Sequence, residues 1–216
     1  LPYDTKKDLT PLVLVGTSPM VLATHVNSEY KTFKDVVDAA KAKKNVSFGS
    51  IGNGSLGHLA MALLGKDANL EMTHIPYKGG GQAVNDVISG QVSAAVLGAA
   101  AVLPHIKSGK LIALAVSTRR RSSILPDTPT LSESGAGDID VPQWSALFAV
   151  EGTPAPIMAQ MRRVVDESLA DTGLKQQLLG LAMETVAMTP DAFQQRMVQD
   201  RERWAKLIKD RKIAME

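Results

Sequence analysis

Val46-Ser-Phe-Gly-Ser-Ile-Gly-Asn-Gly-Ser-Leu-Gly-His-Leu-Ala60 reads as a strand, a glycine-rich turn and the opening of a helix. Val46 to Ser50 is a short β-type run. Ser55 stands in N-cap position, ahead of a helix whose apolar stripe is Leu56, Leu59, Ala60 and Leu63. A strand feeding a helix through so short a turn is the unit of an α/β fold.

The same unit recurs on both sides. Upstream, Thr32 is an N-cap with Asp35 three residues on, in capping-box position, and Phe33, Val36, Val37 and Ala40 follow at helical spacing. Downstream, the strand Glu71 to Ile75 runs into Pro76-Tyr-Lys-Gly-Gly-Gly81. A helix with Ala83, Val84, Val87 and Ile88 inward comes next, stopped by Gly90. A strand over Val92, Ala94 and Val96, a helix from Ala101 to Lys107 and a strand from Leu111 to Val116 complete the series. Right-handed crossovers then imply a parallel sheet covered by helices.

Beyond Ser117 the texture changes. Residues 118–143, rich in Pro, Ser, Thr and Asp, read as an extended connection. Trp144 to Val150 is a further strand. A helix follows with Ile157, Met161, Val164, Val165 and Leu169 on one face and Gly173 as its stop. The last helix has Thr189 as N-cap, Pro190 in first position and the stripe Phe193, Met197, Trp204, Leu207 and Ile208.

Composition narrows the function classes. Hydrophobic residues make up 44% and charged ones 21% of 216 residues, as in ordinary globular proteins. A net charge of +2 calls for neither nucleic acid nor an anionic membrane surface, and Arg119-Arg120-Arg121, without interleaved aromatics, reads as a solvated turn. Cysteine is absent, which removes thiol nucleophiles and Cys-type metal sites. No segment has the apolar length of a membrane span. Leu1-Pro2-Tyr3-Asp4 is neither a signal peptide nor an initiator Met, so the chain reads as a mature or excised product.

In a parallel sheet, ligands bind beyond the carboxyl ends of the strands, where helix N-termini present backbone N–H groups and the positive end of the helix dipole. The turns Ser50 to Ser55 and Tyr77 to Gly81 lie there. Their glycines let an anion approach the backbone. Ser50, Asn53 and Ser55 add short donors, and Lys78 adds a full positive charge. The competing reading is that glycine serves turn geometry alone.

Gly52-Asn-Gly54-Ser-Leu-Gly57 also matches the dinucleotide-binding pattern. That fingerprint wants an acidic residue at the end of the next strand. Glu71 begins that strand, and its end reads His74-Ile-Pro-Tyr77. His25, His58, His74 and His105 show no metal-ligand spacing, and no nucleophile elbow surrounds any serine. The chain is therefore read as a non-enzyme without cofactor or metal. His58, in the first turn of its helix, is expected to order the glycine loop by hydrogen bonding.

Ser50-Ile-Gly-Asn-Gly-Ser-Leu-Gly-His58-Leu59 resembles the S-x-G-N-G-T-x-x-H-L segment of the tripartite tricarboxylate transporter receptors, the TctC-like or Bug family. His74-Ile-Pro-Tyr-Lys-Gly79 resembles their V-P-Y-K-G segment. Pro104-His-Ile-Lys-Ser-Gly-Lys110, Ala115-Val116 with Arg121, Pro126-Asp-Thr-Pro-Thr130, Trp144 and Gly152-Thr-Pro154 match in order and spacing, over almost the whole chain.

The resemblance implies a periplasmic-binding-protein-like α/β fold of type II, a Venus flytrap of two lobes with parallel-rich sheets. Residues 1–20 with 146–216 would form a first lobe, incomplete because the chain starts downstream of that lobe's glycine-rich turn. Residues 21–145 would form a complete second lobe, with hinges near Met20 and Trp144. The implied role is a periplasmic receptor that delivers a small carboxylate to membrane permease subunits and is not itself membrane-embedded. Its ligand residues would be Ser50, Gly52, Asn53, Gly54, Ser55, His58, Tyr77, Lys78, Gly79 and the position of Leu97. Amino-acid-binding members of the family place an aspartate after the Val92 to Val96 strand, where this chain has Leu97-Gly98-Ala99. A buried ammonium would be left unpaired, which points to a di- or tricarboxylate or an aromatic carboxylate. The alternative readings are the effector-binding domain of a transcriptional regulator and a Rossmann-type NAD(P) oxidoreductase.

Overall fold

The structure, a computed structural model, describes residues 2–68 and 70–213. The chain divides into two compact units: Ser18–Gln143 with Trp204–Glu216, and Leu1–Thr17 with Trp144–Arg203.

In the larger unit the elements follow as β1 (Leu9–His25, of which residues from 18 belong here), α1 (Phe33–Lys41), β2 (Ser47–Ser50), α2 (Leu56–Ala68), β3 (Thr73–Pro76), α3 (Gly80–Ile88), β4 (Ala94–Gly98), α4 (Ala99–Lys107) and β5 (Leu111–Val116). The strand order is β3-β2-β4-β1-β5. β2 runs parallel to β3 and β4, as the strand-turn-helix units require. The strands of the series, β2 to β5, all run in one direction as expected, and the parallel-rich sheet also takes in β1, which lies antiparallel between β4 and β5. Val21, Leu22 and Ala23 are buried. An apolar run without alternation is what a strand covered on both faces looks like.

The helices attach for readable reasons. Thr32 and Asp35 form the expected capping box on α1, and two backbone N–H groups, of Lys31 and Thr32, hold the Asp35 carboxyl below the usual carboxylate range. Phe33, Val36 and Ala40 of α1 join Phe48, Ala60, Met61 and Leu64 in one core. α2 presses closely on β4. A Cβ on Gly57 would stand 2.3 Å from the Val96 carbonyl oxygen, so only glycine fits.

Residues 118–143 do more than connect. Leu131, Ile139 and Val141 are buried in the same core. Ser117, also buried, knits the layer together: its Oγ accepts from the Met20 N–H at 3.0 Å and donates to the Val141 carbonyl at 2.6 Å. Arg119 and Arg121 of the basic run pair with Asp138 and Glu133. At the far end of the chain Trp204 packs against this core and Leu207 is buried.

The smaller unit holds the first part of β1, β6 (Pro142–Val150, of which residues from 144 belong here), α5 (Ala155–Ala170), α6 (Thr172–Gly180), β7 (Glu184–Thr185) and most of α7 (Pro190–Arg211). β6 and β7 both pair with β1. Phe193 of α7 sits edge-on to Trp144, with ring centroids 5.5 Å apart. Gly173 does not stop a helix. Asp171 ends α5 and caps α6, its Oδ1 accepting from Leu174 N–H at 2.7 Å, so Gly173 lies inside α6. The buried face of α5 is also turned from the expected one. Met158, with Val165 and Leu169, packs on Leu12, Val13 and Ala149, whereas Ile157, Met161 and Val164 are exposed.

Candidate functional site

Because β2, β3 and β4 are parallel, their carboxyl ends lie along one edge, and each leads into a helix. α2 begins after Ser55, α3 after Gly79 and α4 after Gly98. Three consecutive helix N-termini therefore open on the same edge of the larger unit. Among the described residues, no side chain caps α3 at Gly79 or α4 at Gly98, and neither helix has an acidic residue in its first turn. Uncapped N–H groups at the positive end of a helix suit a carboxylate.

The turn after β2 is organised from within. Gly52 and Gly54 have φ of 121° and 70°, a region that favours glycine. Ser50 is fully buried. Its Oγ donates to the Gly52 carbonyl at 3.0 Å and accepts from the Ser55 hydroxyl at 3.0 Å. Ser55 in turn accepts, at 3.4 Å, from the His58 N–H, the weak cap of α2. His58 does order the loop: its Nδ1 accepts from the Gly54 N–H at 3.1 Å. Ser50 is thus placed inside the turn, while Gly52, Asn53, Gly54 and Ser55 are partly accessible.

His74 is the residue that sequence reasoning missed. Phe48 and His74 are register partners on β2 and β3. The two rings stack at 4.9 Å, and His58 stacks on His74 at 3.9 Å. His74 Nε2 lies 2.7 Å from Ser50 Oγ. Burial, then the neighbouring His58, pushes the His74 imidazole down to about 4, and burial lowers His58 as well. Both are neutral at pH 7. Since Nδ1 of His58 accepts, its proton sits on Nε2.

The turn after β3 brings Tyr77, Lys78 and Gly79 to the same edge. The Tyr77 hydroxyl donates to Asp86 Oδ2 at 2.6 Å, fixing the turn to α3. Burial and that carboxylate push the phenol up to about 12. Lys78 is exposed and is the only charged residue in either turn. At Gly79 a Cβ would meet nothing within 4 Å, so the fold itself has room for a side chain there. Leu97 is buried and pairs with Val21 across β1, one residue ahead of the Gly98 cap.

Two further points bear on the chemistry. The third glycine of the dinucleotide-like pattern, Gly57, is used for contact with β4, a packing role that needs no nucleotide. Among the described residues, no group of three or more His, Cys, Asp or Glu is placed to hold a metal ion, and no helix is long and apolar enough to cross a membrane.

Residues 1–213 match the model of the tripartite tricarboxylate transporter family receptor. The chain is 34% identical, over 97% of its length, to the UPF0065 protein in the TAR-I ttuE-ttuC' intergenic region of Agrobacterium vitis, and spans 62% of that relative. Among solved structures it is similar to R. palustris Rpa4515 with adipate, with a TM-score of 0.87 and 26% identity, over 98% of this chain and 71% of that one. It is also similar to MatC of Rhodopseudomonas palustris with bound malate, with a TM-score of 0.81 and 25% identity, over 96% and 72% of the two chains. The fold is α/β and periplasmic-binding-protein-like.

Proposed function

Because the chain belongs to the tripartite tricarboxylate transporter receptor family, we propose that it captures a small carboxylate in the periplasm and hands it to the membrane permease subunits of such a transporter. The observation that carries this reading is the row of helix N-termini after Ser55, Gly79 and Gly98, two of them without a side-chain cap among the described residues. A carboxylate there receives backbone N–H donors and the field of the helix dipoles, with Lys78 adding a cation at the rim. Solved structures of similar chains carry adipate and malate, both dicarboxylates.

The ligand residues in this reading are Gly52, Asn53, Gly54 and Ser55 of the first turn, with Tyr77, Lys78 and Gly79 of the second. Ser50 and His58 act through the turn they brace. The Leu97-Gly98-Ala99 segment offers no carboxylate, so a ligand ammonium would stay unpaired. The ligand class is therefore a di- or tricarboxylate, or an aromatic carboxylate, without an amino group. Isothermal titration with adipate, malate, citrate, benzoate, aspartate and glutamate tests this. At least one of the amine-free acids binds and the two amino acids do not. Binding of aspartate or glutamate alone would refute the ligand class.

A further inference from the structure

A pocket of about 200 Å3 lies in the larger unit against His58 and His74, and no residue of the two glycine turns lines it. Phe48, Met61 and Met72 give it apolar walls, His58 and His74 form its polar wall, and Arg211 lines it from the end of α7. Its size exceeds the ~150 Å3 in which an apolar cavity accepts a benzene ring. Its lining is not that of a dry packing void, for it joins two ring nitrogen-bearing groups and a permanent cation to sulfur and aromatic surface.

We infer that this cavity is a second ligand site, separate from the carboxyl-end turns, which takes a small monocarboxylate with a ring-sized apolar body. The body lies against Phe48, Met61 and Met72, where dispersion and burial of apolar surface hold it. The carboxylate turns to Arg211, whose guanidinium fork matches it in shape and charge. His58 adds a donor: with Nδ1 accepting from the Gly54 N–H, its remaining ring nitrogen carries the proton. A ligand here touches the two rings that brace Gly54 and Ser50, so the site adjoins the supports of the first turn rather than its open face.

The test is a titration of the isotopically labelled protein with sodium benzoate, followed through the ring signals of His58 and His74 and the methyl of Ala62, which also lines the cavity. Benzoate should move these signals saturably, while acetate, lacking the body, and benzyl alcohol, lacking the charge, move them only at higher concentration. Ala62→Phe should fill the space and abolish the effect. Arg211→Gln should weaken benzoate roughly threefold to fivefold, the worth of an ion pair at a half-open site. Shifts confined to the amides of the two glycine turns, or undiminished shifts in Ala62→Phe, would overturn the site. Should Ala62→Phe not fold, Arg211→Gln decides, and benzoate affinity unchanged in it overturns the assignment.

Discussion

Ser50 Oγ and His74 Nε2 stand 2.7 Å apart, joining the last residue of β2 to the adjacent parallel strand β3. Every other bond of the Ser50 hydroxyl stays within that turn, to Gly52 and Ser55. The turn is therefore held by its own hydrogen bonds and, through Ser50, by the His74 imidazole.

Removing that support is expected to be felt as stability. His74→Ala leaves a buried hydroxyl short of a partner and strips a ring from the Phe48–His74–His58 stack. A loss of about 1–3 kcal/mol follows, measurable by denaturant unfolding. An unchanged midpoint would show that the bond does not brace the turn.

The same residue predicts a pH dependence. The folded state holds the His74 imidazole at about 4, against 6.5 for a free side chain. Between these values the unfolded chain binds more protons than the folded one. The contribution to stability is thus fully present above about pH 6.5 and is lost as pH falls towards about 4. Thermal melts across this range should show the decline, and His74→Gln should flatten it. A wild-type Tm that is level from neutral pH down to about 4 contradicts the assignment.

Gly57 and Gly79 should separate packing from recognition. A Cβ at Gly57 meets the Val96 carbonyl oxygen at 2.3 Å. Gly57→Ala is expected to cost about 1–3 kcal/mol or more, as overpacking does. At Gly79 nothing lies within 4 Å of the added atom and φ is −176°, so Gly79→Ala should leave the Tm nearly unchanged. If the carboxylate approaches this backbone, the same variant loses affinity in titration. A Gly79→Ala protein that binds normally would move the ligand elsewhere.

Ser117→Ala removes two buried hydrogen bonds at once, leaving the Met20 N–H and the Val141 carbonyl without the hydroxyl. About 2 kcal/mol of destabilisation is expected. Hydrogen exchange at the Met20 amide, which loses its acceptor, should rise by more than at Val21.

Tyr77→Phe deletes the bond to Asp86 that ties the second turn to α3. A charge-assisted bond at a partly buried position is worth about 1–2 kcal/mol. In the wild type the Tyr77 phenol, pushed up to about 12, should ionise only at strongly alkaline pH in an ultraviolet titration.

Much of this molecule is legible in its one-dimensional pattern. Apolar spacing after Thr32, Ser55 and Gly79 announces α1, α2 and α3, and the short runs before them announce their strands. Glycine at 52 and 54 marks a backbone with positive φ, and the helices that follow such turns present N–H groups to an anion. Those are local facts, decided by propensity, capping and periodicity within a few residues. What lay beyond them needed chain segments far apart to meet. Leu9–His25 reads as apolar but does not say that it inserts antiparallel between β4 and β5. The exposed face of α5 depends on what Leu12 and Ala149 cover. His74 looked like one of four scattered histidines, because its bond to Ser50 exists only through the register that sets Phe48 beside it. Local sequence therefore determined the elements and the chemistry of their turns. Strand order, register and the bracing of the turn were decided by tertiary packing, since each is an interaction between residues that share no sequence neighbourhood.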